Sequence, residues 1–239
     1  MSEPAPFPIL FEDDEYVAIN KPWGILMHRS RISEDKVFVV QLLRDQLGRR
    51  VYPVHRLDRG TSGALIFGKT AEAAGKLGEQ FMDKTVAKRY IAVVRGWIDE
   101  KGEIDYALAD PDSGKGLLPA VTQYACLGQS EIDAPIGLRY KTARFSLVEA
   151  MPETGRRHQI RKHFAHVMHP VIGDKKHGDV KQNTYFREVF GMRRMLLHSA
   201  ELSFQHPVSG EKIQIGAPID AEFARALDIV GLGATSLTG

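Results

Sequence analysis

The sequence has very little cysteine: Cys126 is the only one among 239 residues. A single cysteine excludes an internal disulfide framework and a zinc site built on several thiolates, and it fits a reducing compartment, here the cytoplasm. No apolar run approaches the ~20 residues that a membrane-spanning helix needs, and the N-terminus lacks the pattern of a signal peptide. We therefore expect neither a membrane protein nor a small secreted one.

The chain also has little net charge, +2 at pH 7. This total hides an uneven distribution, because residues 1–16 carry −5, residues 141–200 carry +7, and the residues from 201 onward carry −3. Residues 154–173 contain no acidic side chain. A basic stretch of this kind is typical of a protein that binds a polyanion, although a solvated charged surface explains it equally well.

The remaining composition is that of an ordinary globular protein, with 43% apolar and 26% charged residues. Residues 1–8 contain three prolines and are expected to form a loose lead-in, followed by one domain over residues 9–239. Many short strand-like runs alternate with a few helical ones. This pattern predicts an α+β fold with a mostly antiparallel mixed sheet as its core and flanking helices and loops.

Apolar periodicity and capping residues place the individual elements. Helices are predicted from a cap at Ser33 to a stop at Gly48, and over Thr70–Met82, Arg156–Val167 (capped by Thr154) and Phe223–Ile229. Strands are predicted over Tyr16–Ile19, Ser62–Lys69, Tyr90–Val94, Val121–Leu127, Thr142–Val148, Met195–Leu197, Ala200–Phe204 and Lys212–Ile215.

Asp58 is the first candidate for a functional side chain. It lies between Arg56 and Arg59, three residues after His55, and a Gly-Thr-Ser-Gly turn follows it. Nearby cations favour the ionised form of a carboxylate, and such a carboxylate is suited to nucleophilic attack or to the stabilisation of charge. The alternative is a surface ion pair between aspartate and arginine in a tight turn.

Four histidines near residue 160 raise the alternative of a metal-dependent hydrolase, because pairs at helical spacing bind zinc. They are His158, His163, His166 and His169. Arginine and lysine side chains lie among them and no carboxylate does, so a divalent cation would be repelled. The same group of residues suits phosphates. We therefore predict no metal site.

Several segments resemble the RluA-type pseudouridine synthases, and they follow one another in the order of that family. The segment His55-Arg56-Leu57-Asp58 with Thr61-Ser62-Gly63 resembles the family's catalytic signature. The others are Asn20-Lys21-Pro22 with Gly24 and His28, Lys88-Arg89-Tyr90, Gly155-Arg156 with His158-Gln159-Ile160-Arg161 and His163, Gly173-Asp174, and Leu197-His198-Ser199. The resemblance runs from about Ile9 to Ala217, nearly the whole chain.

The resemblance implies a role for each of five residues. Asp58 would be the nucleophile, and Arg56 would fill the space left by a flipped base, although it could instead contact a phosphate or pair with Asp58. Tyr90 would stack on the uracil, where the alternative is a core tyrosine. Ile160 would pack beneath the base. Arg161 would pair with Asp58 and keep it ionised, where the alternative is a surface arginine that binds phosphate.

The reaction that the resemblance implies is the isomerisation of uridine in RNA, which needs no cofactor. Within the family, the run Gly173–Asp179 resembles the branch that modifies tRNA at position 65 of the acceptor stem. The family's frequent N-terminal S4-type RNA-binding domain is not expected here. A pseudouridine synthase acting on ribosomal RNA or on another tRNA position, and an RNA-binding protein without catalysis, are the alternatives. No protein partner is expected, and a monomer is the default.

Overall fold

The computed structural model describes residues 6–28, 37–109, 116–136 and 140–233. Twelve strands and five helices lie within these ranges. The strands are β1 (Ile9–Glu12), β2 (Tyr16–Lys21), β3 (Tyr52–Pro53), β4 (Ser62–Gly68), β5 (Ala87–Arg95), β6 (Lys101–Asp105), β7 (Leu108–Ala109), β8 (Leu117–Leu118), β9 (Val121–Asp133), β10 (Thr142–Pro152), β11 (Leu197–Gln205) and β12 (Lys212–Gly216). The helices are α1 (Val39–Leu47), α2 (Ala71–Met82), α3 (Gln159–His166), α4 (Val180–Val189) and α5 (Ala221–Ile229).

The chain divides into two compact units. The first comprises residues 1–88 and 199–218, and the second comprises residues 89–198 and 219–239. The prediction of a single domain over residues 9–239 stays a prediction. In the described part of the expected lead-in, Phe7 is buried, and its backbone exchanges two hydrogen bonds with the side chain of Gln46.

The first unit is built on strands in the order β1, β2, β4, β11 and β12, with β3 also pairing with β4. The pairs β1–β2, β2–β4, β3–β4 and β11–β12 are antiparallel. One face of these strands buries an apolar cluster against α2, which contributes Ala73 and Leu77 to it. All seven residues of β4 are buried. The strand that follows the candidate Asp58 turn is therefore held by neighbours on both edges and on both faces.

In this unit, the end of α1 and the bounds of α2 agree with the sequence-based predictions, whereas the start of α1 does not. The Thr70 side chain accepts a hydrogen bond from the Ala73 N–H and caps α2, which confirms the helix predicted over Thr70–Met82. Gly48 has φ 64° and ends α1 in the left-handed conformation that favours glycine. The predicted cap at Ser33 lies outside the described residues, but α1 begins only at Val39, because Phe38 before it has an extended backbone.

The second unit is built on antiparallel strands in the order β5, β10, β9 and β6. The longest pairing joins β9 to β10, from Thr122 opposite Pro152 to Asp133 opposite Thr142. Phe145 of β10 packs edge-on against Phe186 of α4. The buried aromatic rings on these elements hold the helices of the unit against its strands.

In the second unit and in β11, predicted element bounds differ from the structure, and one helix has no predicted counterpart. The helix predicted over Arg156–Val167 begins at Gln159, because the Thr154 hydroxyl bonds to the Gln159 side chain and does not cap the helix. The strands predicted over Met195–Leu197 and Ala200–Phe204 are one strand, β11. Helix α4, capped by Asp179, was not predicted.

The predicted fold class is confirmed: the structure is α+β, and the strand pairs are mostly antiparallel. Within the described residues, no helix combines the length and the apolar character that crossing a bilayer requires.

Candidate active site

Asp58 lies in the loop that leads from β3 into β4, in the first unit. Its carbonyl oxygen accepts a hydrogen bond from the Thr61 N–H at 3.1 Å, which closes a tight turn over residues 58–61. The Asp58 side chain is half-buried, whereas Thr61 and Ser62 are almost fully buried. The carboxylate is therefore displayed at the start of a rigid strand, a suitable position for a group that must meet a substrate in one geometry.

Lys21 stabilises this turn by hydrogen bonds to backbone carbonyl oxygens. Its side chain is fully buried, and Nζ donates to the carbonyl oxygens of Thr61 (2.8 Å), Pro22 (2.9 Å) and Arg59 (3.4 Å). A buried ammonium is stable only when its protons are hydrogen-bonded, and backbone carbonyl oxygens satisfy them here. The Asn20-Lys21-Pro22 motif is thereby tied to the loop that carries Asp58.

Arg59 is held by the same motif. Its Nε donates to the Gly24 carbonyl oxygen at 2.9 Å, while the Gly24 N–H donates to the Arg59 carbonyl oxygen at 2.7 Å. Gly24 has φ 88°, a conformation that a side chain would strain. One of the two arginines that flank Asp58 therefore has a structural role in fixing the loop.

Glycine is required where β4 begins, at Gly63. Its φ is 109°, and a Cβ atom there would lie 2.7 Å from the backbone N and C of Ser199, and closer still to the Ser199 carbonyl oxygen. The Ser199 side chain is fully buried, and its hydroxyl has no hydrogen-bond partner in the described residues. The close approach of two backbones thus fixes the strand immediately after the Asp58 turn.

His55 anchors the other end of the loop. Its Nε2 accepts a hydrogen bond from the Ile66 N–H of β4 at 3.3 Å, and its ring stacks on Phe81 with centroids 4.7 Å apart. Burial, aided by the Lys88 ammonium, lowers the pKa of His55 to about 3. The imidazole is therefore neutral at physiological pH and carries its proton on Nδ1, so it positions the loop and does not act as an acid.

Arg56 is exposed, unlike His55 and Leu57 on either side of it. Among the described residues it has no hydrogen bond or ion pair. One of the alternatives for Arg56, a partner for the Asp58 carboxylate, therefore finds no support. An arginine that extends into solvent beside the candidate nucleophile is available for contact with RNA.

Tyr90, Ile160 and Arg161 all belong to the second unit. Tyr90 lies on β5, opposite Ala150 of β10, and is 9% exposed. Ile160 lies in the first turn of α3 and is 7% exposed. Their small exposed areas fit side chains at the wall of a binding site and also fit core positions.

The start of α3 is fixed by Gln159 and by an unusual cap. The Gln159 Oε1 atom accepts hydrogen bonds from the Thr154 hydroxyl (2.6 Å) and the Arg156 N–H (3.0 Å). The Gln159 Nε2 atom donates to the Val121 carbonyl oxygen (2.9 Å). The cap residue, His158, adopts φ 58° in the left-handed region, where a non-glycine residue is uncommon. This strained start sets the direction in which the next residues point.

Arg161 forms a bidentate ion pair with Asp174. The guanidinium donates from Nε to Oδ2 and from Nη2 to Oδ1, both at 2.7 Å, and both residues are buried. Burial alone would raise the pKa of the Asp174 carboxyl, but the hydrogen bonds and charge of Arg161, with the N–H groups of Lys176 and His177, hold it below its ordinary value. The expected partner of Arg161 was Asp58. The structure shows that Arg161 pairs with Asp174, and a pairing of Arg161 with Asp58 stays a prediction.

Comparison with known proteins identifies the family. Residues 15–166 match the family described as RNA pseudouridylate synthase. The chain is 45% identical over 233 residues to a tRNA pseudouridine synthase C from Salmonella typhimurium, an alignment covering 93% of this chain and 89% of that protein. It is 42% identical over 240 residues to a tRNA pseudouridine synthase C from Vibrio vulnificus, covering 96% of this chain and 98% of that one.

The chain belongs to the RNA pseudouridylate synthase family. It is an RNA pseudouridine synthase, an isomerase, as the order of its motifs predicts, and its substrate is RNA. Among solved structures it resembles the human RNA pseudouridylate synthase domain containing 1, with a TM-score of 0.71 and 25% identity, covering 92% of this chain and 86% of that one. The human domain containing 4 has the same TM-score at 22% identity and shares the fold, over 93% of this chain and 92% of that one.

The histidines of this pseudouridine synthase are not gathered into one cluster. His163 is fully buried and lies 3.0 Å from the Tyr106 carbonyl oxygen, while His166 stacks on the Tyr106 ring. His169 bonds to the Arg95 carbonyl oxygen. Within the described residues, no group of three or more histidine, cysteine or acidic side chains is placed to hold a metal ion.

Several residues that shape this site were not assigned roles from the sequence. In the sequence, Lys21, Asp174 and His177 stand out only as parts of motifs. A signal for Lys21 was present, because an apolar strand that ends in lysine and proline must either expose or satisfy that ammonium. The partner of Asp174 depends on tertiary packing, which a local sequence pattern does not indicate.

Proposed function

We propose that this pseudouridine synthase acts on tRNA and isomerises the uridine at position 65 of the acceptor stem. The observation that carries the proposal is the identity of 42–45%, over more than nine-tenths of the chain, with proteins named tRNA pseudouridine synthase C. The resemblance of the Gly173–Asp179 segment to the position-65 branch supports the choice of uridine.

Asp58 is proposed as the catalytic nucleophile. The reaction breaks the bond between N1 of uracil and C1′ of ribose, turns the base, forms a bond between C5 and C1′, and releases the proton from C5. Asp58 attacks the ribose, attacks the base, or promotes a glycal route, and each of these needs an ionised carboxylate in a fixed place. The Lys21 contacts and the anchor of His55 on β4 supply that placement.

Arg56 is proposed to occupy the space that the target base leaves when it flips out of the RNA. Flipping costs a few kcal/mol, and a planar side chain that stacks in the vacated space offsets part of that cost. Arg56 is exposed and makes no hydrogen bond or ion pair within the described residues, so moving it into RNA breaks no such bond there.

Tyr90 and Ile160 are proposed to hold the flipped uracil. The Tyr90 ring would stack on one face of the base, with its hydroxyl able to help remove the C5 proton, and Ile160 would pack beneath the base. Both side chains are more than nine-tenths buried, which suits residues that exclude water from a reacting centre.

Arg161 is proposed to pair with Asp58 and to keep it ionised. A guanidinium has five N–H donors, so one arginine can bond to more than one carboxylate. Asp174 fixes the plane and position of the guanidinium, so that Arg161 can present its charge in one direction. In this arrangement Asp174 is a positioning residue and Arg161 acts on the nucleophile.

The remaining expectations follow from this reaction. Isomerisation of uridine balances without an oxidant, a reductant or a nucleotide, so no cofactor is proposed. We also propose that the protein acts as a monomer in the cytoplasm, where tRNA is modified.

The proposal is tested by mapping pseudouridine in total RNA from cells that lack the gene and from cells that carry Asp58→Asn in its place. The expected result is loss of pseudouridine at tRNA position 65 in both strains, with restoration by the wild-type gene. Loss of a site in ribosomal RNA, with tRNA position 65 intact, would overturn the substrate. Full modification in the Asp58→Asn strain would overturn the role of Asp58.

A further inference from the structure

Two histidines from different segments of the second unit form a hydrogen-bonded pair. The Nδ1 atom of His158 lies 2.9 Å from the Nε2 atom of His177, and the two rings meet edge to face with centroids 5.1 Å apart. A hydrogen bond between two imidazoles requires one of the two facing nitrogens to be unprotonated. The pair therefore has the capacity to take up a proton when an anion arrives.

The turn that carries His177 is rigid. The Asp174 carboxylate accepts the N–H groups of Lys176 (2.9 Å) and His177 (3.1 Å), and the Asp174 carbonyl oxygen accepts the Gly178 N–H. Asn183 of α4 closes the turn from the other side, accepting from the Gly173 N–H and donating to the Asp174 carbonyl oxygen, both at 2.8 Å. Lys176 is thus held on a fixed backbone with an exposed side chain.

The charges around His177 are mostly positive. Arg161 and Lys162 of α3 and Lys176 of its own turn act on it electrostatically, and Asp174 is the one acidic group among the described residues that does so. Burial lowers the pKa of His177, Asp174 opposes this effect, and the three cations lower the pKa further. Because Asp174 is already paired with Arg161, the surroundings of the imidazole pair favour an incoming anion.

We propose that the His158–His177 pair and Lys176 form a binding site for one phosphate group of the RNA backbone. The inference rests on the proposed tRNA substrate and adds to it a phosphate contact outside the group of residues that act on the base. The phosphate charge stabilises an imidazolium at the pair, so that binding takes up a proton. RNA affinity then rises as the pH falls through the range in which histidine titrates.

The test compares tRNA affinity across a series of salt concentrations for the wild type, Lys176→Met, His177→Gln and a control, Lys181→Met. Lys181 is an exposed lysine on α4 and is outside the proposed site. Loss of one phosphate contact should make the slope of log affinity against log salt shallower by about 0.7 to 0.9 in Lys176→Met, and should weaken binding roughly tenfold. Lys181→Met should retain the wild-type slope.

The His177→Gln variant tests the imidazole pair. Glutamine keeps a hydrogen-bonding group at this position but cannot take up a proton. The wild type should bind tRNA more tightly at about pH 6 than at about pH 7.5, and His177→Gln should lose this gain. A salt slope in Lys176→Met equal to that of Lys181→Met, or a gain that persists in His177→Gln, would overturn the phosphate site.

A parallel measurement separates this inference from the proposed function. Release of tritium from C5 of uridine in the same tRNA reports the reaction of the wild-type protein, independently of the binding series. If the wild type releases label but Lys176→Met binds tRNA as the wild type does, the phosphate site alone is refuted. Failure to release label, with binding that depends on Lys176 and His177, would refute the tRNA reaction and leave the site in place.

Discussion

Arg161 and Asp174 form a buried bidentate ion pair, with both donor–acceptor distances at 2.7 Å. The Asp174 side chain is fully buried and that of Arg161 is 10% exposed. Removing one partner of such a pair leaves an uncompensated charge in the interior, which costs more than the pair contributes. The two residues are thirteen positions apart in the sequence, and they join α3 to the turn that precedes α4.

Asp174→Asn should lower the free energy of unfolding by about 3–5 kcal/mol, because it leaves the Arg161 guanidinium buried without its counter-ion. Urea denaturation at neutral pH measures this change. Glu72→Gln is the matched control, since Glu72 pairs with Lys76 on an exposed helix surface and its loss should not measurably change stability. Equal effects of the two substitutions would contradict the structural account of the buried pair.

The Asp174 carboxyl also predicts a pH dependence. Its pKa in the folded protein lies below the ordinary value of 3.8, so the unfolded state binds more protons in this range. The stability that it contributes is therefore complete above about pH 4 and is lost as the pH falls further through the folded pKa. Urea unfolding of the wild type and of Asp174→Asn should show that the difference between their free energies of unfolding shrinks below pH 4. A constant difference down to about pH 2 would argue against this linkage.

Lys21→Met should lower both stability and activity. The substitution leaves buried carbonyl oxygens around the Asp58 turn without a donor, at a cost of about 1–3 kcal/mol, and frees the turn to move. Urea unfolding and single-turnover release of tritium measure the two effects. Lys76→Met, on the exposed side of α2, is the control and should change neither. Wild-type turnover in Lys21→Met would show that the Asp58 turn is positioned without the Lys21 hydrogen bonds.

His55→Gln should flatten the dependence of stability on pH. The pKa of His55 is lowered to about 3 in the folded protein, so between the ordinary histidine value of 6.5 and about 3 the unfolded state binds the extra proton. Wild-type stability should therefore fall as the pH drops through this window, and the stability of the variant should fall less steeply. An identical slope in both proteins would mean that His55 is accessible to protons in the folded state.

Gly63→Ala should be poorly tolerated. The added Cβ would enter the backbone of Ser199, and the φ of 109° strains any other residue. Gly75→Ala is the matched control, because Gly75 lies inside α2 with open space around it, and alanine should stabilise the helix by up to about 1 kcal/mol. Thermal unfolding of the two variants should thus shift in opposite directions. A Gly63→Ala protein as stable as the wild type would contradict the observed approach of the two backbones.

Local signals predicted much of this fold. Thr70 caps a helix where its position ahead of an apolar stripe predicts one, and Gly48 ends a helix as its φ preference indicates. Helix α4 was missed although Asp179 and Gln182 have the spacing of a capping box, and the Asp179 side chain does accept the Gln182 N–H. This spacing is therefore a local signal for the start of α4.

Other features depended on contacts between distant residues. The left-handed conformation of His158 follows from the Gln159 hydrogen bonds to Thr154 and β9, which no pattern within one helix predicts. The ordered motifs led to the family and to Asp58 as the candidate nucleophile. They did not reveal that Asp174 holds Arg161, because a salt bridge between elements is decided by packing.

The central claim, that Asp58 carries out pseudouridine formation in tRNA, is tested most directly by tritium release. Full-length protein is mixed with tRNA labelled at C5 of uridine, and release is compared between the wild type and Asp58→Asn, which keeps the size of the side chain but removes its charge. The account predicts stoichiometric release at one site by the wild type and none above background by the variant. Equal release by both proteins, or none by the wild type, would contradict it.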